Sequence, residues 1–333
     1  MEKNKIYNCD WLSNEIESNS VDLIISDPPY FEIMGEFDFI WPSFDDYLKD
    51  VERWAVECKR VLKSNGTLLW YGDDKRIAYA QIIFDKHFNL LNNLVWHKGE
   101  NFMGLNKSGE LRTFAPCTER ILMYDTGEDR NGSYMVFADP SLFMSIKKYL
   151  DDEHDKTGLT LREMCDQFGS TCSHYFGYSK RSKEQFTLPT REKYESLQTT
   201  GFFNRPWDEL RKEYEELLSQ YQDIKKEYEK QRRPFENFLQ LSEVLKFNNE
   251  SSLNTKYKHP TRKPEKLTRA LILTCTNPGA TILVPFAGSG TECAIAKREG
   301  REFIGFEIDP KYHEVAMQRI EDEEKKSNQT ALF

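Results

Sequence analysis

The chain has 333 residues, 38% of them hydrophobic, 30% charged and 13% aromatic, which suffices for one elaborate domain or two ordinary ones and excludes wholesale disorder. No apolar run approaches the ~18–20 residues of a membrane span, and Met1-Glu2-Lys3-Asn4 opens no signal peptide. Seven scattered cysteines without a CxxC pair point to free thiols in a reducing, cytoplasmic setting, and a net charge of −9 argues against nucleic-acid binding by overall field while leaving room for a local basic groove.

Three zones follow one another, with no internal repeat. Over 1–130, buried-strand runs at Val21–Ile25, Gly66–Tyr71, Leu91–Trp96 and Arg120–Tyr124 alternate with helical stretches. Between the first two runs, Tyr47, Val51, Trp54, Ala55, Cys58 and Val61-Leu62 keep helical spacing. Residues 131–255 are polar and poor in strand signals. Thr160 with Glu163 three residues on has the spacing of a capping box. A short helix to Phe168, a turn at Gly169 and a new start at Ser170-Thr171 give a helix-turn-helix outline. Trp207, Leu210, Tyr214, Leu217, Tyr221, Ile224 and Tyr228 form a heptad seam. It either pairs with a second copy in a homodimer or packs within its own domain, for instance against Phe235, Phe238, Leu241 and Leu245.

Over 256–333 the alternation resumes. Leu267–Thr274 reads as helix, Thr281–Val284 as strand, Glu292–Arg298 as helix, Glu302–Phe306 as strand, and about 311–321 as a last helix. Two alternating blocks around a different middle imply one α/β sheet interrupted by an insertion.

Two constellations carry chemistry. Asp27-Pro28-Pro29-Tyr30 leaves a buried strand directly. It is either a strand-ending turn or an acceptor site for an exocyclic amine. Such an amine is a poor nucleophile because its lone pair is delocalised into the ring. The Asp27 carboxylate and the Pro28 carbonyl, stiffened by two prolines, could take both amine hydrogens and draw the nitrogen toward sp³. Tyr30 offers a ring for an extruded base. The second constellation, Phe286-Ala287-Gly288-Ser289-Gly290-Thr291, leaves a strand and opens a helix. It lacks the third glycine of the dinucleotide fingerprint, which disfavours NAD, and Glu307 ends the next strand where an acid suits two ribose hydroxyls.

Together these residues resemble the S-adenosylmethionine-dependent amino-methyltransferases of DNA, in the beta-class order: catalytic tetrad, recognition region, then Phe-x-Gly-x-Gly. His259-Pro260-Thr261-Arg262-Lys263-Pro264 resembles the family's His-Pro-Thr-x-Lys-Pro element, and Asn8-Cys9-Asp10-Trp11 its acidic turn. The resemblance implies a Rossmann-like, mostly parallel methyltransferase sheet with helices on both faces, plus a largely helical inserted recognition domain. It implies Asp27, Pro28, Pro29 and Tyr30 as catalytic, and Asp10, Lys263, Phe286, Ala287, Gly288, Ser289, Gly290, Thr291 and Glu307 as cofactor-binding. Double-stranded DNA is the implied partner, with a cognate restriction endonuclease where the enzyme is half of a restriction–modification pair. Val284 stands where the family often has Asp, and Cys9 precedes the acid it usually follows.

Asp at the first tetrad position resembles the adenine-N6 members, whereas many cytosine-N4 members carry Ser. The expected reaction is therefore methylation of adenine N6 in a flipped base. The rivals are cytosine N4, an amine in RNA, a small-molecule acceptor, or a silent nucleic-acid-binding scaffold. Pro116-Cys117 resembles the nucleophile of C5-cytosine enzymes, but an amine needs no covalent adduct, so Cys117 is expected to be structural. Residues 171–193 carry five basic side chains against two acidic ones, with Tyr175, Phe176 and Tyr178 interleaved. This makes Ser173, His174, Lys180, Arg181 and Lys183 candidate DNA contacts, the alternative being a solvated helical surface. The six histidines show no metal-ligand spacing.

Overall fold

The computed structural model describes residues 1–33, 36–99, 116–127, 142–176, 187–249 and 256–330, with 224–225, 227–231 and 327–330 described by main chain alone. Two compact units emerge, one from 1–129 with 233–333 and one from 130–232. No helix among the described residues is long and apolar enough to cross a membrane.

The first unit is built on β1 (Lys5–Tyr7), β2 (Val21–Ser26), α1 (Phe44–Val61), β3 (Leu62–Gly72), α2 (Ile77–Phe84), β4 (Asn89–His97) and β5 (Thr118–Asp125). The second unit holds α3 (Met144–Thr157), α4 (Leu161–Phe168), α5 (Cys172–Tyr175), α6 (Arg191–Gln198) and α7 (Trp207–Gln231). The chain then returns to the first unit through β6 (Val244–Lys246), α8 (Glu265–Cys275), β7 (Thr281–Val284), α9 (Thr291–Arg298), β8 (Glu302–Phe306) and α10 (Pro310–Thr330).

The eight strands form one sheet in the order β1-β8-β7-β2-β3-β5-β4-β6. Every pairing is parallel except β3 with β5 and β5 with β4. This is the mostly parallel sheet expected, and its central strands β2 and β7 are mostly apolar because both faces are covered. Alternate side chains go to opposite faces. Leu23, Ile25, Leu69, Tyr71, Ile121 and Met123 pack with α8, α9 and α10. Ile24, Leu68, Trp70, Leu122 and Tyr124 pack with α1 and α2.

α1 shows how the sequence makes one of these layers. Ser43 caps it by accepting from the Asp46 amide at 3.2 Å, with Asp45 and Asp46 in the first turn and Lys59 and Arg60 in the last, matching the helix dipole. Tyr47, Val51, Trp54, Ala55, Cys58 and Val61 are its buried residues. Each large apolar side chain on that stripe contributes about 1.5–3 kcal/mol on burial.

One sequence-based boundary is corrected. Residues 131–255 were expected to form the insertion, but Val244, Leu245 and Lys246 pair with Val95, Trp96 and His97 in the sheet. Leu245 is buried there and Trp96 Nε1 donates to the Phe247 carbonyl at 2.7 Å. A three-residue strand gives too short an alternation to register in the sequence.

The second unit has its own core of Ile146, Leu150, Met164, Phe168, Cys172, Tyr175, Phe176, Tyr194, Leu197, Phe203 and Leu210. The capping box at Thr160 and Glu163 is present, and α4 and α5 follow the helix-turn-helix outline, α5 being a single turn. Leu210 is buried in this core, and Trp207, Tyr214 and Leu217 pack against it. Tyr214 also meets Phe143 at 5.5 Å. This part of the seam is therefore satisfied within its own unit. The partners named for it do otherwise: Phe235 and Phe238 are exposed, and Leu241 and Leu245 join the sheet core. The seam positions Ile224 and Tyr228 lie outside the described side chains.

Candidate active site

Parallel strands bring their carboxyl ends to one edge, and the order of this sheet makes β2 and β7 the switch point: β2 leads through α1 to β3 on one side, β7 through α9 to β8 on the other. Asp27 follows β2 and Phe286 follows β7, so the two motifs flank the same crevice. Antiparallel β5 brings its first residues to that edge, where Gly72 pairs with Arg120 and His97 with Thr118. Glu119 and Lys98 thereby reach the site from a hairpin.

Asp27 lies at the centre. Its Oδ1 accepts from the Tyr30 hydroxyl at 2.8 Å and its Oδ2 from Lys263 Nζ at 2.7 Å. Lys263 is 4% exposed and also stands 3.4 Å from Glu119 Oε2, while Glu119 Oε1 pairs with Lys98. Burial pushes the Asp27 carboxyl above its ordinary range; Lys263 pulls it back and Glu119 raises it. Burial, with Asp27 beside it, keeps Tyr30 a neutral phenol. Burial lowers the Lys263 affinity for its proton, but Asp27 and Glu119 more than offset this, so the ammonium holds it more tightly than usual. Burial also raises Glu119, and Lys263 with Lys98 more than reverse it.

The tetrad is fixed from the other side by Asp38, a buried residue the sequence did not single out. Its Oδ1 accepts from the Tyr30 amide at 2.6 Å and its carbonyl from the Glu32 amide at 2.8 Å.

The glycine loop is equally defined. Gly288 and Gly290 have φ of +50° and +71°, in the left-handed region that glycine tolerates. The Gly288 amide donates to Glu307 Oε2 at 2.8 Å, and Glu307 Oε1 accepts from the Asp309 amide at 2.9 Å. Burial raises Glu307 and these amides oppose it. His259 stands over the loop: a Cβ on Gly288 would meet its Nε2 at 3.0 Å. The imidazole stacks on Phe37 at 6.0 Å and meets Tyr312 edge-on at 4.4 Å. Burial and the Lys263 charge depress its pKa to about 4, so it is neutral.

The expected site residues thus separate by role. Asp10 is exposed and caps a short turn, its Oδ1 accepting from the Leu12 amide at 2.9 Å. Phe286 packs edge-on against Trp54 at 5.0 Å and Trp11 at 6.3 Å, anchoring the loop. Ala287, Ser289 and Thr291 are buried. The Thr291 hydroxyl accepts from Arg319 at 2.7 Å, so this residue is left to act on a ligand through its main chain. Lys263, expected beside the cofactor, donates to Asp27 Oδ2. In the second unit Ser173 and His174 are exposed. Tyr175 and Phe176, read as interleaved groove aromatics, are buried in that unit's core, because a small helical unit needs its large apolar side chains there. Lys180, Arg181, Lys183 and Tyr178 lie outside the described residues.

A buried polar atom marks the crevice as a place for a polar ligand. The Tyr71 hydroxyl, near the end of β3 and close to Asp27, has no hydrogen-bond partner among the described residues. Tyr71 also lies under the Lys263 ammonium, 5.1 Å from its ring centre.

Comparison with known proteins agrees with this geometry. The sequence pattern of the DNA methylase family, N6/N4 type, matches residues 21–318. The DNA adenine methyltransferase YhdJ of Escherichia coli (strain K12) is 25% identical over 312 residues, covering 92% of this chain and 78% of the relative. The type II methyltransferase M2.DpnII of Streptococcus pneumoniae is 24% identical over 326 residues, covering 93% and 86%. Among solved structures, the cytosine-N4-specific PvuII DNA methyltransferase aligns over 99% of this chain and 93% of its own, with a TM-score of 0.50 at 14% identity, a likeness of fold alone.

Proposed function

This chain belongs to the N6/N4 DNA methylase family and is a DNA amino-methyltransferase, and we propose that it methylates the N6 amine of an adenine flipped out of double-stranded DNA, with S-adenosylmethionine as donor. The observation that carries the reading is the buried Asp27 carboxylate at the switch point, facing the crevice that the glycine loop lines. Adenine is favoured by Asp at the first tetrad position and by the similarity to an enzyme named as an adenine methyltransferase.

The residues present fit the donor. Each Glu307 oxygen accepts one backbone amide and keeps a lone pair for a ribose hydroxyl. Asp10 follows β1, which lies beside β8 and so brings this carboxylate to the same edge as Glu307. When bound, this group supplies a methyl carbon on a positively charged sulfur.

The chain's own part is to hold the amine. Each Asp27 oxygen has one partner and a second lone pair, so either can accept an amine hydrogen while Tyr30 and Lys263 keep the carboxylate in place. The Pro28 carbonyl is the second acceptor. With both hydrogens bound, the nitrogen lone pair is freed from the ring and points at the methyl. The Tyr30 ring carries the base, and Asp27 or water takes the proton the amine sheds. In this reading the second unit recognises the target, with the exposed Ser173 and His174 as its candidate contacts among the described residues.

The test is incubation with labelled donor and unmethylated genomic DNA, then digestion and mass identification of the nucleoside. N6-methyladenine is expected. N4-methylcytosine would overturn the base and keep the mechanism, and cofactor binding without label in DNA would overturn the activity.

A further inference from the structure

Amine methylation as derived above uses Asp27 and Tyr30 but leaves two buried charges behind them unexplained. Lys263, on the segment entering α8, and Glu119, on β5, stand 3.4 Å apart, and Lys98 closes the far end on Glu119. The charges alternate in the order Asp27, Lys263, Glu119, Lys98. A buried ammonium needs one good carboxylate partner. Asp27 at 2.7 Å is already that partner and Lys98 already pairs with Glu119, so the 3.4 Å contact between Lys263 and Glu119 is what exceeds one-to-one pairing.

We propose that Lys263 and Glu119 are positioning residues that act on Asp27 in opposite senses: Lys263 keeps the carboxylate ionised and aligned to accept the amine, and Glu119 weakens that hold so that Asp27 can receive the amine proton. This rests on the amine-methylating role of Asp27. In the step concerned, the nitrogen–carbon bond forms as the carbon–sulfur bond breaks. The proton leaves the nitrogen for an Asp27 oxygen, and passes to water as product departs. An Asp27 held too firmly ionised by Lys263 would accept that proton poorly; one without Lys263 would already carry it and could no longer act as acceptor.

Among the described residues, five groups face Asp27. Tyr30 follows β2, Tyr71 ends β3, Glu119 begins β5, Lys263 precedes α8 and Glu292 opens α9. Lys98 acts through Glu119, and the neutral His259 senses Lys263. Of these, Lys263 lowers the proton affinity of Asp27 while Glu119 raises it. A pair screened from Asp27 and serving only to pin α8 to the sheet would leave its midpoint in place when either member is neutralised.

The experiment is a pH titration of the Asp27 carboxyl carbon by NMR in the full-length, donor-free protein labelled at aspartate, with Asp27→Asn assigning the resonance. Lys263→Met should raise the midpoint by at least one pH unit, a tenfold change in proton affinity. Glu119→Gln should lower it by about half a unit or more, and Lys263→Arg should restore it toward wild type. The acid limb of single-turnover methylation should move the same way in each variant. Midpoints that stay put, or that shift in the same direction in Lys263→Met and Glu119→Gln, overturn the proposal. Should Lys263→Met fail to melt cooperatively, Glu119→Gln and Lys263→Arg still decide it. Wild-type protein that methylates no DNA amine defeats the functional reading, whereas normal wild-type turnover with an acid limb deaf to these titrations defeats only this inference.

Discussion

The guanidinium of Arg319 is fully buried behind the glycine loop and donates to the Thr291 hydroxyl at 2.7 Å. Its other arm donates to Glu265 Oε1 at 2.6 Å, and its plane lies 5.0 Å from the Tyr257 ring centre. One residue of α10 therefore ties the start of α9 to the start of α8. The loop is held from its rear by Arg319, while the Glu307 carboxylate accepts the Gly288 amide at 2.8 Å on its other side.

That rigidity makes the loop intolerant of a methyl group. At Gly290, φ is +71° and an added Cβ would lie 3.0 Å from Ala316 Cβ and 3.1 Å from Ala316 Cα, so α10 must yield. Gly290→Ala should cost on the order of 1–3 kcal/mol in urea unfolding and raise the donor Kd at least tenfold by calorimetry. A variant with wild-type midpoint and affinity would show that the loop is not packed as described.

Asp27→Asn keeps the shape of the side chain while removing the anion. Methylation should fall by at least a thousandfold, because one acceptor oxygen becomes an NH₂ donor facing Lys263. Donor binding should change by less than fivefold, since the glycine loop and Glu307 are untouched. Turnover within tenfold of wild type would remove Asp27 from the chemistry. Asp27→Ala should be equally inactive but less stable, as it leaves the buried ammonium with only its longer contact to Glu119.

Glu292 opens α9 fully surrounded by protein, and burial raises its pKa from 4.5 to about 7. Between those values the folded chain holds a proton that the unfolded chain has lost. The stability of the neutral form is therefore complete below about pH 4.5 and declines as pH rises through about 7. Glu292→Gln is neutral throughout. Relative to wild type it should gain stability as pH rises from 5 to 8, by on the order of 3 kcal/mol at the upper end. Urea midpoints at the two pH values check this, and a difference independent of pH would contradict it.

Cys117 is a free, partly buried thiol two residues before Glu119, and its carbonyl accepts from the Lys98 amide at 2.9 Å. It serves the hairpin through its main chain. Cys117→Ser should retain at least half of wild-type methylation in a labelled-methyl assay. Complete loss in a folded variant would reopen covalent attack on the base.

What was legible in the sequence was what burial writes continuously. Leu23–Ile25 and Ile282–Val284 are apolar runs because these parallel strands are covered on both faces, and the stripe from Tyr47 to Val61 spells out α1. The tetrad and the glycine loop were legible because their residue types are demanded locally. Glu119, Lys98 and Asp38 were not. Glu119 stands at the start of a strand, and only the reversal of β5 carries that start to the reactive edge. Asp38 matters because a loop folds back onto the Tyr30 amide, which spacing does not reveal. Tyr175 and Phe176 misled because aromatics among basic residues look alike whether they serve a groove or a core. Lys263 was read with its motif, and its reach to Asp27 across 236 residues is a product of the sheet order.

The pairing of β1 with β8 and of β2 with β7 has a consequence for how the molecule is made. Lys5 lies beside Ile304 and Leu23 beside Ile282, so each of these early strands has a neighbour made more than 250 residues later. At ordinary rates of synthesis the wait is on the order of tens of seconds. Throughout it a nascent chain carries Asp27 but lacks the opposite wall of the crevice, which Phe286 to Gly290 provide. An unfinished chain therefore lacks a complete crevice, which forms only when the far half of the sheet closes onto the near one.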